Sequence, residues 1–395
     1  MKDIIVKILA CIVSAAILAF LGLVAAIIIG LSGGALFYSP FIMVFTGILI
    51  VFIILNVFKL IKPKLLKILF FSFLGICVLT IGGYEINRAY HNSFSEVNDQ
   101  GVNLYLYKPF AENTKAVKLE QESSLKIEDN LPRLDGATAL YPLYSAFAQA
   151  VYPEGDYEVY AGKGEEGKTK GEVACSTTPD AYIRLINGET DIIFVAGPSE
   201  QQISEAKSRG VELKLTPIGK EAFVFFVNSR NTVNGLTTAQ IQDIYSGKIT
   251  NWKELGGKNA KIRAFQRPEN SGSQTMLQKL MKDKNLMTPP REDVVSGMGG
   301  IIERTASYRN YKNAIGYSFL FFATEMIKNN EIKLLEVDGI KPDRDTIASG
   351  KYPLASDFYA VTANSDNPNV DRFIEWILSE QGQYLVEKTG YTAVK

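Results

Sequence analysis

Two stretches near the start of the chain, Ile8 to Phe58 and Ile68 to Tyr84, contain no charged residue. Beyond Tyr84 apolar positions return only in short runs or at helical spacing, separated by charged and turn-forming residues. A helix rises about 1.5 Å per residue and the hydrocarbon core of a bilayer is about 30 Å thick, so roughly 20 apolar residues cross it. The first stretch is long enough for two crossings and the second for one. The break in the first falls at Gly30-Leu31-Ser32-Gly33-Gly34, followed by Ser39-Pro40, where turn formers cluster. The pattern predicts a membrane anchor over 1–84 with three transmembrane helices near 8–30, 36–58 and 65–84. The last starts beside Lys67, whose stem lets its charge reach the interface.

The remainder reads as an exterior part. Residues 85–130 are expected to form an extracellular stalk, with a little strand in the alternating Val102-Asn103-Leu104-Tyr105-Leu106-Tyr107 and a polar run over Glu112–Asn130. From Leu131 to Lys395 the patterning is that of a globular protein, in a length exceeding what one hydrophobic core usually takes, so two lobes are expected. Helices are predicted after Ala139, with Leu140, Leu143, Tyr144, Phe147 and Val151 on one face, at Thr238–Tyr245, at Gln274–Met281 and at Val370–Thr389. Strands are predicted at Asp191–Val195 and Phe223–Val227. Alternation of the two gives an α/β fold.

Charge sharpens the division. Residues 1–84 hold six Lys and one acid, net +5; the whole chain has 42 basic and 42 acidic residues, which leaves 36 and 41 for 85–395, net −5. Lys2 and Lys7 precede the first span, and Lys59, Lys62, Lys64 and Lys67 lie between the second and third. The positive-inside rule then sets the amino terminus in the cytoplasm and everything after Tyr84 outside, in a multi-pass cell-membrane protein. A cleaved signal peptide shares the charged start, but two further spans follow it here. An exterior part with a mildly acidic field captures an anion only through local dipoles and one or two cations. A single histidine, His91, leaves little for zinc hydrolases or His-based triads. Cys11, Cys77 and Cys175 have no paired spacing, so neither a disulfide framework nor a Cys-rich metal site is expected, and no cofactor is.

Three segments carry candidate chemistry. Asp135-Gly136-Ala137-Thr138-Ala139 places a glycine turn and a threonine before a helix; Cys175-Ser176-Thr177-Thr178-Pro179-Asp180 places hydroxyls before a proline, with Thr178 as the expected N-cap. Arg267-Pro268-Glu269-Asn270-Ser271-Gly272-Ser273-Gln274 opens a third helix with a Ser-Gly-Ser turn, four residues after an arginine. Each helix start leaves unpaired N–H groups and a partial positive charge, which suit an anion. Taken singly, each segment is better explained as an ordinary cap.

The joint pattern resembles the phosphate-binding proteins of phosphate ABC importers. The likeness lies in Gly136-Ala137-Thr138 with Tyr141-Pro142-Leu143-Tyr144, in the long stretch Gly235 to Lys253, in Arg267 to Ser273, in Ala314-Ile315-Gly316-Tyr317 and in Tyr352-Pro353-Leu354. The resemblance implies a two-lobed clamshell, type II periplasmic-binding-protein-like, with lobe 1 over about 131–218 plus 352–395, lobe 2 over about 219–351, and crossing strands near 215–222 and 350–358. It also implies an oxyanion held in the cleft by the Thr138 hydroxyl, the Ala139 N–H, the Thr178 hydroxyl, Arg267, the Ser271 hydroxyl, and the N–H groups of Gly272 and Ser273. One departure is apparent: where the family carries an aspartate that accepts a proton-bearing oxygen of phosphate, this chain has Ala196. Asp135 or Glu269 are the candidates to replace it. The implied function is a membrane-anchored extracellular solute-binding protein, not an enzyme, that captures phosphate or a related tetrahedral oxyanion for an ABC importer permease. The alternatives are a ligand-sensing receptor or assembly partner using the same domain and, more remotely, an extracellular phosphatase.

Overall fold

The computed structural model describes residues 2–31, 37–92, 96–97, 102–160, 162–163, 169–288, 308–309, 311–326 and 331–394. The chain divides into two units, the helices at its amino end and the part that follows Ser95.

The first unit contains α1 (Lys2–Ile29), α2 (Tyr38–Val57) and α3 (Pro63–Asn92), each long and apolar enough to cross a membrane. The predicted turn lies mostly, over residues 32–36, outside the described residues. α1 and α2 pack closely at Gly22, where a Cβ would come within 2.4 Å of the Thr46 hydroxyl. Ser39 Oγ donates to the Ala26 carbonyl at 2.7 Å. α2 meets α3 through aromatic pairs, Phe45–Phe73, Phe52–Phe70 and a stacked Phe37–Tyr84 at 3.8 Å between ring centroids. α3 runs eight residues past its expected end. The helix continues because the polar residues beyond Tyr84 find partners within reach: Glu85 accepts from Tyr38 and pairs with Arg88 one turn on.

In the second unit, seven strands among the described residues form one mixed sheet. They are β1 (Leu134–Gly136), β2 (Ile192–Ala196), β3 (Lys214–Asn228), β4 (Arg263–Ala264), β5 (Ala314–Phe319), β6 (Ile332–Leu334) and β7 (Ala355–Thr362). The order is β1-β2-β7-β3-β5-β4, with β6 also on β3. β3 has 15 residues because it serves both halves: Lys214–Ala222 pairs with β7, and Phe223–Val227 pairs with β5. The expected strand Phe223–Val227 is only its second half.

Two main cores flank this crossing. One is built from Leu134, Tyr144, Phe147, Phe194, Ile218, Phe358, Phe373 and Leu385, the other from Ala222, Phe225, Tyr245, Trp252, Leu277, Tyr317 and Tyr352. Helices α4 (Tyr141–Val151), α5 (Thr177–Ile186) and α6 (Glu200–Ser208) lie in the first lobe, and α7 (Thr238–Tyr245), α8 (Gly272–Met281) and α9 (Arg344–Ala348) in the second.

Three expectations are corrected. The run predicted as one helix over Val370–Thr389 is two, α10 (Val370–Ile377) and α11 (Glu380–Thr389), because Ser379 turns extended and caps the second through its hydroxyl. The alternation at Val102–Tyr107 is no strand: Leu104–Tyr107 is a 3-10 turn, capped by Asn103, whose side chain accepts the Tyr105 N–H at 3.1 Å. Nor is the segment leading to residue 130 a free stalk. Leu104, Ala116, Leu125 and Ile127 are buried in the first core, and the Ile127 N–H donates to the Val151 carbonyl at 3.0 Å. Gln381 fastens the same segment from α11, accepting the Ser124 N–H at 2.8 Å and donating to the Glu122 carbonyl at 2.9 Å. Scattered apolar residues in a polar run carried no periodicity to announce this.

Candidate functional site

The three sequence-marked segments stand at helix starts beside the central sheet. The first leaves β1 at Gly136, where a Cβ would meet the Phe194 carbonyl oxygen at 2.3 Å, so only glycine lets the two strands approach this closely. Thr138–Leu140 then forms a 3-10 turn that runs into α4. The Leu140 N–H bonds the Ala137 carbonyl.

The second segment is tied to the first by Asp135. This buried carboxylate accepts the N–H groups of Gly136 and Ser176 and the Ser176 hydroxyl, each at 2.7 Å, and pairs with Arg184 from α5. Burial pushes its pKa up, while Arg184, Ser176 and Gly136 pull it back down. Cys175 adds a second tie, with its sulfur 3.6 Å from the Gly136 carbonyl and 4.0 Å from the Thr138 hydroxyl. Burial raises that thiol to about 12, so it stays protonated and inert.

α5 begins earlier than expected. Ser176 is the N-cap, not Thr178, but its hydroxyl is spent on Asp135 and caps nothing. Thr177 follows with φ at +74°, in a region that β-branched residues rarely enter. The strained turn lifts Thr178 into the buried space at the lobe boundary, where it is 6% exposed.

The third segment belongs to the other lobe. Ser271 caps α8, accepting the Gln274 N–H at 3.3 Å. Gln274 and Tyr317 then hold the loop from behind, each accepting the Arg267 N–H at 2.9 Å. A Cβ placed on Gly272 would lie 3.3 Å from the Thr178 hydroxyl and 3.7 Å from Ala196 Cβ, so the second and third segments face each other across the lobe boundary. Asn270 bridges the same gap. It accepts from Ser199 at 2.9 Å, donates to Gln201 at 2.9 Å, and its carbonyl accepts from Gln202 at 3.4 Å. Lys279 also reaches over, with Nζ 3.0 Å from where a Cβ of Gly197 would be, and burial lowers its pKa.

The hydroxyls of Thr178 and Ser273, on residues more than nine-tenths buried, have no hydrogen-bond partner among the described residues. Neither do the N–H groups of Thr178, Gly272 and Ser273, which belong to the first turns of their helices. Among the described residues there is no cluster of His, Cys, Asp and Glu suited to a metal. Neither proposed stand-in for the missing aspartate is free for the task. Asp135 has both oxygens engaged, and Glu269 is exposed and accepts from Gln278 at 2.8 Å. Asp135, Arg184, Gln274, Tyr317 and Asn270 hold the loops in place, and of these only Arg184 and Tyr317 lie outside the segments that the sequence marked.

A sheet shared by two lobes, with helix starts turned toward each other between them, defines a two-lobed solute-binding protein. A model of the PBP superfamily domain matches residues 129–381. The phosphate-binding protein PstS of Borreliella burgdorferi is 30% identical over 218 residues, covering 53% of this chain and 76% of that protein. PstS of Bacillus subtilis is 26% identical over 286 residues, covering 71% and 85%. A crystal structure of a phosphate ABC transporter substrate-binding protein with bound phosphate, from Clostridium perfringens, is 24% identical and covers 68% of this chain and all of that one, with a TM-score of 0.49. The chain belongs to the PBP superfamily and, within it, to the PstS phosphate-binding proteins.

Proposed function

We propose that this protein captures phosphate between its two lobes and delivers it to the permease of an ABC importer. The binding part is held on the outer face of a cell membrane by α1–α3, and the amino terminus lies in the cytoplasm. The observation that carries the reading is the approach of Thr178 to Gly272. It sets two helix starts, one from each lobe, against each other, with hydroxyls and amides that have no hydrogen-bond partner among the described residues. Such unpaired donors at helix starts suit a tetrahedral anion. In this reading Thr138, Ala139, Thr178, Ser271, Gly272 and Ser273 replace the water around the anion, and Arg267 supplies the charge and two parallel donors. Binding then favours the closed arrangement that the Asn270 bridge already holds, and release requires the lobes to part about β3 and β7.

Calorimetry of the full chain in detergent, titrated with inorganic phosphate, tests this. Saturable binding is expected, and Arg267→Ala is expected to weaken it by about 2 kcal/mol or more, the cost of losing a charged hydrogen-bond partner in a buried site. Unchanged affinity in that variant would remove Arg267 from the site, and no binding to the parent protein would remove the function.

A further inference from the structure

The donors and acceptors around the Thr178–Gly272 junction are unequal in number, and this bears on which anion fits. Among the described residues, the donors are the N–H groups of Thr178, Gly272 and Ser273, the hydroxyls of Thr178 and Ser273, and two cations, Arg267 in the third loop and Lys279 about two turns along α8. Among the described residues, four carboxylates come into question as acceptors. Asp135 has both oxygens occupied by Gly136, Ser176 and Arg184. Glu269 is exposed and tied to Gln278, and Glu221 lies in the middle of β3, bonded by the N–H groups of Ala222 and Phe321. Asp180 is exposed in the first turn of α5, beside the Arg184–Asp135 pair. The side chain that faces Gly272 from the end of β2 is the methyl of Ala196.

Resting on the anion-binding reading above, we propose that this site does not read the proton that phosphate carries, and that it takes tetrahedral dianions as a class, sulfate as well as phosphate. At neutral pH phosphate keeps at least one P–O–H, and a carboxylate facing it gains a hydrogen bond, whereas the same carboxylate facing sulfate confronts lone pairs with lone pairs. With a methyl in that place, phosphate gains no such bond and sulfate meets no such repulsion. The hydroxyls of Thr178 and Ser273 donate to either ion, since a hydroxyl turns to suit its partner.

The test is calorimetry of the full chain in detergent with sodium phosphate and, separately, sodium sulfate at the same pH and ionic strength, on the parent protein and on Ala196→Asp. For the parent, the two dissociation constants are expected to agree within about threefold. In Ala196→Asp, sulfate is expected to lose at least about tenfold more affinity than phosphate, because a buried carboxylate set against a dianion is left unpaired. Phosphate binding to the parent with sulfate about a hundredfold weaker overturns the proposal and leaves the anion site standing. If neither ion binds the parent, the anion site itself falls and the proposal with it. The comparison on the parent decides without the variant, so a variant that fails to fold does not shield the idea.

Discussion

Thr177 is the residue where local preference and tertiary demand disagree most plainly. Its φ of +74° costs about 1–3 kcal/mol for a β-branched residue, and the exposed side chain returns little in contacts. The strain persists because both neighbours are fixed: Ser176 is bound to Asp135 through its N–H and its hydroxyl, and Thr178 is buried against Gly272. Replacing Thr177 by glycine relieves the strain and adds only about 0.5–1 kcal/mol of chain entropy loss. Thr177→Gly is therefore expected to raise the melting temperature of the ligand-free protein while weakening phosphate binding, since Thr178 is then held less firmly. A lower melting temperature, read by scanning calorimetry, would mean that the side chain makes contacts that outweigh the strain. In the sequence the two threonines were indistinguishable. The choice of Thr178 as N-cap rested on the proline after it, and Asp135, which takes the Ser176 hydroxyl, is 41 residues away in the chain.

Among the elements, β3 does the most, since it carries the chain from one core to the other and holds Glu221 at the changeover, 7% exposed. Burial pushes this carboxyl up to about 8, against the N–H groups of Ala222 and Phe321 and the charge of Arg344, which lower it. Lys220, Glu325, Arg344 and Tyr391 line the same small cavity. A carboxyl whose folded pKa lies above its unfolded value binds its proton more tightly in the folded state. Its contribution is complete below the unfolded pKa, about 4.3, and is lost as pH rises through about 8. The melting temperature is thus expected to fall from pH 5 toward pH 8.5, and Glu221→Gln to flatten that fall, because glutamine keeps the acceptor and never ionises. Equal slopes in parent and variant would assign the pH dependence to other groups. At this scale the sequence was legible where period and length were strong. α7 has the predicted ends, and the strand before Ala196 shifts by a single residue. Periodicity failed where tertiary packing decided: the segment around Leu125 and the first half of β3 are too polar in pattern to betray that they pack or pair, and the latter was expected, as a crossing strand near 215–222, only through the family resemblance.

For the whole molecule, the division of charge sets the expected arrangement. The amino-terminal part carries net +5, with Lys59 and Lys62 between α2 and α3 and Lys64 and Lys67 at the start of α3, and the binding part carries net −5. An overall field of that sign repels phosphate, so capture falls to the local donors at the helix starts, and binding is expected to respond weakly to salt at the level of the whole protein. The same lysines resist transfer across a bilayer, and on that ground we propose that the α2–α3 turn lies in the cytoplasm and, after an odd number of crossings, the lobes outside. Cysteine labelling in intact cells checks this. Lys62 in the turn and Lys258 in the second lobe are both exposed, and the native Cys11, Cys77 and Cys175 are buried, so background labelling is small. A membrane-impermeant maleimide is expected to label Lys258→Cys in intact cells and Lys62→Cys only after the membrane is opened; the reverse pattern overturns the orientation. One span suffices to hold a binding protein at a membrane, yet α1, α2 and α3 pack on one another through Gly22, Thr46 and a run of phenylalanines. If they serve only as a tether, replacing residues 1–84 by a single-span anchor of the same orientation leaves phosphate uptake unchanged. If uptake is lost while phosphate binding in detergent is retained, the bundle itself takes part, by contact with the permease or by passing on the state of the lobes.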